Sequence, residues 1–359
     1  MHASRSSVFI AREHGFTNWP KFARHVRDMA RANSPAATFE AAVDAIISGD
    51  AAMLRKMLAD CPGIVRERSA REHHSTLLHY VSANGVEDFR QKTPKNIVEI
   101  TNLLLDAGAE VDAESDAYGG GCTALGLAAT SVHPERAGVQ IALIETLLER
   151  GASLHLRAGG NNHSIVHGCI ANGQPAAAKF LADRGAPLDM ESAAALDRLD
   201  VLQDHFDGAG ISPTETNPQQ IEAAFRYACG YGSSDAAKFL LERGADPAAR
   251  NENGQTALHW ACWGPEPEII GLLLERGAPV DARDAHFHAT PLDTALWTWN
   301  NAATEEVRQR CYNAVALLVR AGATLDLNHW RDSQKHSPML EQINADRRMQ
   351  AALRGEIKS

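Results

Sequence analysis

The chain has 359 residues, of which 44% are hydrophobic, and a formal net charge of −10. This acidic balance argues against nucleic acid as a main partner, because phosphate binding needs clustered Lys and Arg side chains. No apolar run is long enough to span a bilayer, and the first residues lack the apolar core of a signal peptide, so we expect a cytoplasmic protein with no membrane partner.

The two ends of the chain predict helical caps. Residues 9–26 predict two short helices around a tight turn, with Gly15 ending the first helix and Thr17 capping the second. Near the C-terminus, residues 339–349 carry apolar side chains at helical spacing. We therefore divide the chain into a leader and cap at 1–36, a central array at 37–328 and a capping helix with a tail at 329–359.

One phrase recurs between these ends: an apolar run closes in Gly-Ala, and a polar stretch follows. Examples are LLLDAGAEVDAE at 103–114, FLLERGADPAAR at 239–250 and LLLERGAPVDAR at 272–283. A second phrase, such as QTALHWAC at 255–262, precedes several of them. Where nothing is inserted, the glycines lie 34 residues apart (Gly151 to Gly185) or 33 apart (Gly244 to Gly277). This period indicates stacked units, none of which can bury its apolar face alone.

Particular residues of the repeat are expected to begin and end its helices. Thr256 is expected to cap a helix, and Gly277 is expected to end the second helix of its pair in the left-handed conformation.

The period and the two phrases resemble the ankyrin repeat. In that repeat the histidine of the second phrase braces the turn through internal hydrogen bonds, so the resemblance implies this role for His79 and His259. The resemblance implies an all-α fold, namely an ankyrin-repeat solenoid of about eight helix-turn-helix units with lengthened turns and helical caps at both ends. Residues 11–22, 71–96 and 129–140 are similar to a set of bacterial ankyrin-repeat proteins of unassigned function. That similarity implies a cytoplasmic location and no particular activity. Ankyrin arrays in general bind other proteins through their turn tips and inner groove.

The regular spacing exposes where the chain departs from a plain repeat. Three turns, 85–96, 131–140 and 297–310, are too long, and the glycine spacings grow to 43 (Gly108 to Gly151) and 45 (Gly277 to Gly322). Long ordered turns are more often functional than plain ones. Residues 192–210 form a shortened unit, which we expect to lack a full turn and the start of its first helix.

The first hypothesis for function is a non-enzymatic binding module for a protein or peptide. Aromatic side chains anchor such interfaces. The residue that follows the Thr-x-Leu-His part of the second phrase, such as TALH at 256–259, is expected to face the groove. The predicted contacts are Tyr80, Tyr227, Trp260, Trp263 and Trp297 in the groove, with His74, Tyr118 and Asn253 at turn tips. The alternative is that these rings pack beneath the inserted turns.

A second hypothesis is an enzyme or a small-molecule binder. The long turns 85–96 and 131–140 lie in adjacent units, and they would form a pocket by folding over the groove. His133 would then act as acid or base, with Arg136, Arg90 and Lys92 holding a small anionic molecule. The competing interpretation is that these charges are solvated surface.

Motifs for other chemistry are missing from the sequence. It contains no phosphate-binding GxxxxGK[ST], no GxSxG, no HExxH and no CxxC pair. Cys169, Cys229 and Cys262 occupy small-residue positions of first helices, where we expect them to be buried and reduced. His286 and His288 supply only two ligands, so we expect no metal site, and no cofactor is indicated.

Overall fold

A computed structural model describes residues 5–31, 34–155, 164–207, 218–326 and 337–357. Within these ranges every regular element is a helix, and the only β structure is two isolated bridges, Arg68 to Thr76 and Ser115 to Cys122. This confirms the predicted all-α class. No helix in the described ranges is both long and apolar enough to cross a membrane. The chain falls into two compact units, Met1–Asp189 and Met190–Ser359.

The first unit is built from α-helices joined by turns and short 3-10 helices. Its described α-helices are α1 (Arg5–Glu13), α2 (Trp19–Met29), α3 (Pro35–Ser48), α4 (Ala51–Asp60), α5 (Ile97–Asp106), α6 (Ala124–Ala129), α7 (Val132–Arg136), α8 (Gln140–Glu149), α9 (Ile165–Ala171) and α10 (Pro175–Asp183). Its described 3-10 helices are η1 (Pro62–Arg66), η2 (Leu77–Ser82), η3 (Asp88–Arg90) and η4 (Ala117–Gly119).

The second unit repeats the helix-pair pattern. Its described helices are α11 (Met190–Ala195), α12 (Leu199–Asp207), α13 (Pro218–Tyr231), α14 (Ser234–Glu242), α15 (Ala257–Trp263), α16 (Pro267–Glu275), α17 (Pro291–Asn300), α18 (Glu305–Arg320), α19 (Ser337–Ala345) and α20 (Arg347–Leu353). The first helices of successive pairs, α11, α13, α15 and α17, pack against one another in that order.

The threonine and histidine of the second phrase hold the start of η2 and of α15, as the resemblance implies. The ring Nδ1 of His259 accepts a hydrogen bond from the backbone N–H of Thr256 at 3.1 Å, and its Nε2 donates to the carbonyl of Ala289 at 3.1 Å. His79 makes the same pair of bonds with Thr76 and Cys122. Burial lowers the pKa of His79 to about 4. The imidazole therefore stays neutral, with its proton on Nε2.

The leader is two helices around Gly15, whose φ is 78°. The predicted cap residue is wrong: the side chain of Asn18, not Thr17, accepts from the backbone of Lys21 at 3.0 Å. Thr17 instead donates its hydroxyl to Glu72 at 3.2 Å. Glu72 also donates its backbone N–H to the Gly15 carbonyl at 3.1 Å. These bonds support the proposal that the leader caps the array.

The shortened unit is more complete than predicted. It has a first helix, α11, and a second helix, α12, so the expectation that the first-helix start is missing is wrong. The run Met190–Ala195 is so rich in alanine that its helix lacks the usual apolar pattern, but Ser192 and Ala193 are fully buried. Residues 208–210 of this predicted unit lie outside the described residues.

Two glycines set the close packing of α13 against α15, which predicts a stability effect. A Cβ atom added at Gly264 would overlap the carbonyl oxygen of Gly230, so backbone must move. We expect Gly264→Ala to destabilise the protein by about 1–3 kcal/mol in urea denaturation. Gly271→Ala is the control: this glycine lies inside α16 with nothing within 4 Å of the added atom. Gly271→Ala should raise the free energy of unfolding by about 0.5–1 kcal/mol. Equal effects of the two changes would contradict the packing argument.

Candidate functional site

Four aromatic side chains line up across three first helices of the second unit, and we name this set the aromatic row: Tyr227, Trp260, Trp263 and Trp297. The Tyr227 and Trp260 rings meet edge to face, with centroids 5.0 Å apart. The Trp263 and Trp297 rings stack, with centroids 6.3 Å apart and planes inclined by 24°. Trp260 and Trp263 are three residues apart on α15, which makes them neighbours on one helix face. The row therefore runs from α13 through α15 to α17.

The far end of the aromatic row is open to solvent. Trp263 is 61% exposed and Trp297 is 52% exposed, whereas Tyr227 and Trp260 are half-buried. The fold does use tryptophan in its core, because Trp299, also on α17, is 1% exposed. The exposed stack is thus additional to the core of the unit. Large exposed apolar surfaces of this kind mark interaction sites.

Tyr80, predicted to lie in the groove, is instead a core residue, and this corrects the prediction. Its side chain is fully buried, its ring meets Phe39 edge to face at 6.2 Å, and its hydroxyl donates to Glu87 at 3.5 Å. Burial also raises the pKa of its hydroxyl. Glu87 belongs to the long turn 85–96, so this ring packs beneath an inserted turn. That arrangement is the alternative that the sequence left open.

The predicted tip residues are each hydrogen-bonded to a residue of a neighbouring repeat. In the first unit, His74 Nδ1 lies 2.6 Å from Asp116 Oδ2, and the Tyr118 hydroxyl donates to Asn84 Oδ1 at 2.7 Å. In the second unit, Asn253 Oδ1 lies 2.9 Å from His286 Nε2. His74 and Tyr118 therefore belong to the first unit, while Asn253 and the aromatic row belong to the second.

The long turns 85–96 and 131–140 line a common cavity in the first unit. Its volume is about 470 Å³, within the usual range for ligand pockets. The first long turn contributes Gln91 and the second contributes His133, which is partly exposed. The lining residues are Asn84, Gln91, Tyr118, Cys122, Gly126, Leu127, Thr130, Ser131, Val132, His133, Gly168 and Asn172.

The cations expected to hold an anion beside His133 do not line this cavity, which corrects that part of the second hypothesis. Lys92 and Arg136 are exposed side chains that are absent from its lining. Arg90 is 6% exposed and points elsewhere, with its guanidinium on the carboxylates of Glu40 and Asp44. These two carboxylates pair with its guanidinium, so Arg90 is a structural residue of the long turn.

Arg90 belongs to a buried group of charges that the sequence reasoning missed. We name it the ion cluster: Glu40 on α3, Arg71, Glu87 and Arg90. Arg71 contacts both carboxylates, and Arg90 contacts Glu40 as well. All four are at most 6% exposed. Arg71 also donates to the carbonyl of His14 at 3.2 Å, so the cluster joins the leader, α3 and the long turn 85–96.

The ion cluster and the histidine beside it make the first unit sensitive to acid. Burial opposes ionisation of Glu40, but hydrogen bonds and charges from Arg71 and Arg90 outweigh it and lower its pKa below the ordinary 4.5. Burial lowers the pKa of His25 below 6.5, an effect that Glu40 partly offsets. In both cases the folded state binds fewer protons than the unfolded state, so stability is lost as pH falls.

We therefore expect thermal stability to decline in two stages on acidification. The first stage begins below the ordinary histidine value of 6.5, and the second begins below the ordinary glutamate value of 4.5. Thermal melts at stepped pH would measure both. His25→Gln should reduce the first stage without removing it, because burial also lowers the pKa of His79 and His259. A melting temperature that stays constant from neutral pH to below both values would contradict this account.

The five buried cysteines among the described residues offer no activated nucleophile. Cys122, Cys169, Cys229, Cys262 and Cys311 are buried without disulfide partners, as predicted for three of them. Burial raises the pKa of Cys122, which lines the cavity, to about 11. Its thiol is protonated at neutral pH, and the thiolate is the reactive form.

A protein-family match agrees with the helix pairs of the second unit. Residues 190–284 match a family model described as ankyrin repeats (3 copies). Among solved structures, the crystal structure of human ASB11 ankyrin repeat domain is 23% identical, with a TM-score of 0.40, and the match covers 79% of this chain and 99% of that chain. Over residues 190–284 the chain therefore contains ankyrin repeats.

Proposed function

We propose that this protein is a non-enzymatic binding module that recognises an extended segment of another protein over the aromatic row. Ankyrin repeats are generally protein–protein interaction modules. The observation that carries the proposal is the stacked pair Trp263 and Trp297, which is exposed at 61% and 52%. Tryptophan gives large contact area with few rotatable bonds, so it anchors interfaces disproportionately.

Charge favours a basic segment as the partner. Residues 190–359 contain 24 Asp and Glu against 16 Lys and Arg, so this half carries −8 of the net charge of −10. An acidic surface attracts a basic segment over long range and raises its association rate. Once docked, Lys or Arg side chains bind well on the faces of indole rings. The partner segment therefore combines an extended backbone with Lys or Arg side chains placed over the row.

A capture experiment tests this function. Immobilised wild-type protein and the double variant Trp263→Ser, Trp297→Ser are compared with the control variant Phe287→Ser. Phe287 is a ring that is 73% exposed and lies outside the row. The expected partner is retained by the wild type and the control, is lost by the double variant, and binds through a basic segment that also binds as a synthetic peptide. A partner held equally by all three proteins would overturn the proposal.

Small-molecule binding is a second candidate function, and the cavity in the first unit favours it. Both long turns line this cavity, with Gln91 from one and His133 from the other. The two candidates occupy different units, so each can be tested without disturbing the other.

A further inference from the structure

We infer that the cavity of the first unit binds a neutral polyhydroxylated molecule, a sugar or polyol, beneath Tyr118. This inference rests on the second candidate function and names its ligand class. Among the described residues, the cavity lining contains no Lys, Arg, Asp or Glu. A charged ligand would therefore lose its hydration without gaining an opposite charge from these residues, and this desolvation costs free energy. The chemistry favours a ligand that is polar but uncharged.

The polar groups of the cavity are mainly hydrogen-bond acceptors. Gln91 uses its amide N–H on the carbonyl of Val86 at 2.9 Å, and Asn172 uses its amide N–H on the carbonyl of Gly168 at 2.8 Å. Each side chain keeps its carbonyl oxygen for a ligand, and Asn172 also keeps its second amide N–H. The imidazole of His133 has no hydrogen-bond partner among the described residues, so in its neutral form it adds one acceptor nitrogen and one N–H donor. Several uncharged acceptors in one cavity match a ligand with several hydroxyl donors.

Apolar side chains complete the match. Leu127 and Val132 line the cavity beside the Tyr118 ring. Ligand pockets of this size combine apolar walls with a few placed polar groups. A sugar or polyol presents both kinds of surface, because its C–H groups can lie on an aromatic ring while its hydroxyls point to the acceptors.

Tyr118 has the geometry of a lid. Its φ is 50°, a left-handed conformation that non-glycine residues rarely adopt, and its side chain is 67% exposed. Its hydroxyl donates to Asn84 Oδ1 at 2.7 Å, and Asn84 Nδ2 donates in turn to Thr130 Oγ1 at 3.1 Å. A single exposed hydrogen bond thus ties the ring to Asn84, which is bonded in turn to Thr130. Such strain is kept where surrounding contacts enforce it, often at binding sites.

The test is titration calorimetry of the full chain with glucose, maltose and myo-inositol, and with inorganic phosphate as the charged probe. We expect at least one neutral probe to bind with a Kd of about 1 mM or tighter, and phosphate not to bind. Asn172→Ala should weaken that binding by about 3–10-fold, as expected for one hydrogen bond. Tyr118→Ala should weaken it further, while Tyr118→Phe should keep the ring contact and speed release of the ligand.

A matched control makes the result specific. Asn301 ends α17 as Asn172 ends α9, and its amide N–H also donates to the carbonyl four residues earlier at 2.8 Å. Asn301→Ala should leave binding unchanged. Phosphate binding that Asn172→Ala abolishes would overturn the neutral class while keeping small-molecule binding. No binding by any probe, or neutral binding that Asn172→Ala leaves intact, would overturn the inference. Capture of a protein partner through the aromatic row is independent of all these outcomes.

Discussion

Glu40→Ala is expected to destabilise the first unit by about 3–5 kcal/mol, the usual effect of removing one partner from a buried ion pair. Glu40 is 2% exposed and its two oxygens contact Arg71 and Arg90. Without it, two buried guanidinium groups share the single remaining buried carboxylate of Glu87. The loss should spread to the leader and to the turn 85–96, since the cluster joins both.

Denaturation combined with hydrogen exchange on α3 would measure this effect. Glu72→Ala is the control, because Glu72 also pairs with a cation, Lys21 at 2.8 Å, but its side chain is 40% exposed. Exposed pairs contribute about 0–1 kcal/mol, so this change should have little effect. Similar losses from the two substitutions would show that burial of the ion cluster has no special role in stability.

Replacing Trp263 or Trp297 with alanine is expected to weaken binding of the basic segment by about 2 kcal/mol or more, which is roughly a 30-fold loss of affinity. The two rings stack, so removing either one also removes the support of the other. The double variant should therefore lose less than the sum of the two single losses. Binding should also weaken as salt rises, because exposed charges are screened.

Calorimetry or surface plasmon resonance with the partner peptide would measure these losses. Phe287→Ala, at a ring with 73% exposure, is the control and should change affinity by well under tenfold. All three variants should unfold within about 0.5 kcal/mol of the wild type, since surface substitutions seldom affect stability more. Full affinity in both tryptophan variants would remove the aromatic row from the interface.

The fold was largely predictable because the repeat encodes its own packing. The Thr256 and His259 brace is local, three residues apart, and it forms as predicted. The aromatic row was partly predictable for the same reason, since a fixed position in each repeat points to one face. The structure adds the pairing of the rings and the exposure of Trp263 and Trp297, which depend on how neighbouring helices pack.

The failures arise where tertiary contacts override the repeat position. Tyr80 occupies the same place in its repeat as Trp260, but a carboxylate from an inserted turn covers it. The ion cluster escaped notice because Glu40 lies 31 residues from Arg71 and 50 from Arg90. No local spacing signals such pairs. The acceptor-rich cavity likewise depends on which amide groups are already bonded to backbone, as with Gln91 and Asn172.

The most direct test of the central claim is photo-cross-linking to the partner peptide from single positions. A photoreactive phenylalanine derivative would replace Trp297 on the aromatic row, and in separate proteins Phe287 or Tyr118, both exposed outside it. If the row is the binding surface, the peptide cross-links strongly from position 297 and weakly or not at all from 287 and 118. Strong cross-linking from 287 or 118 with none from 297 would contradict the account.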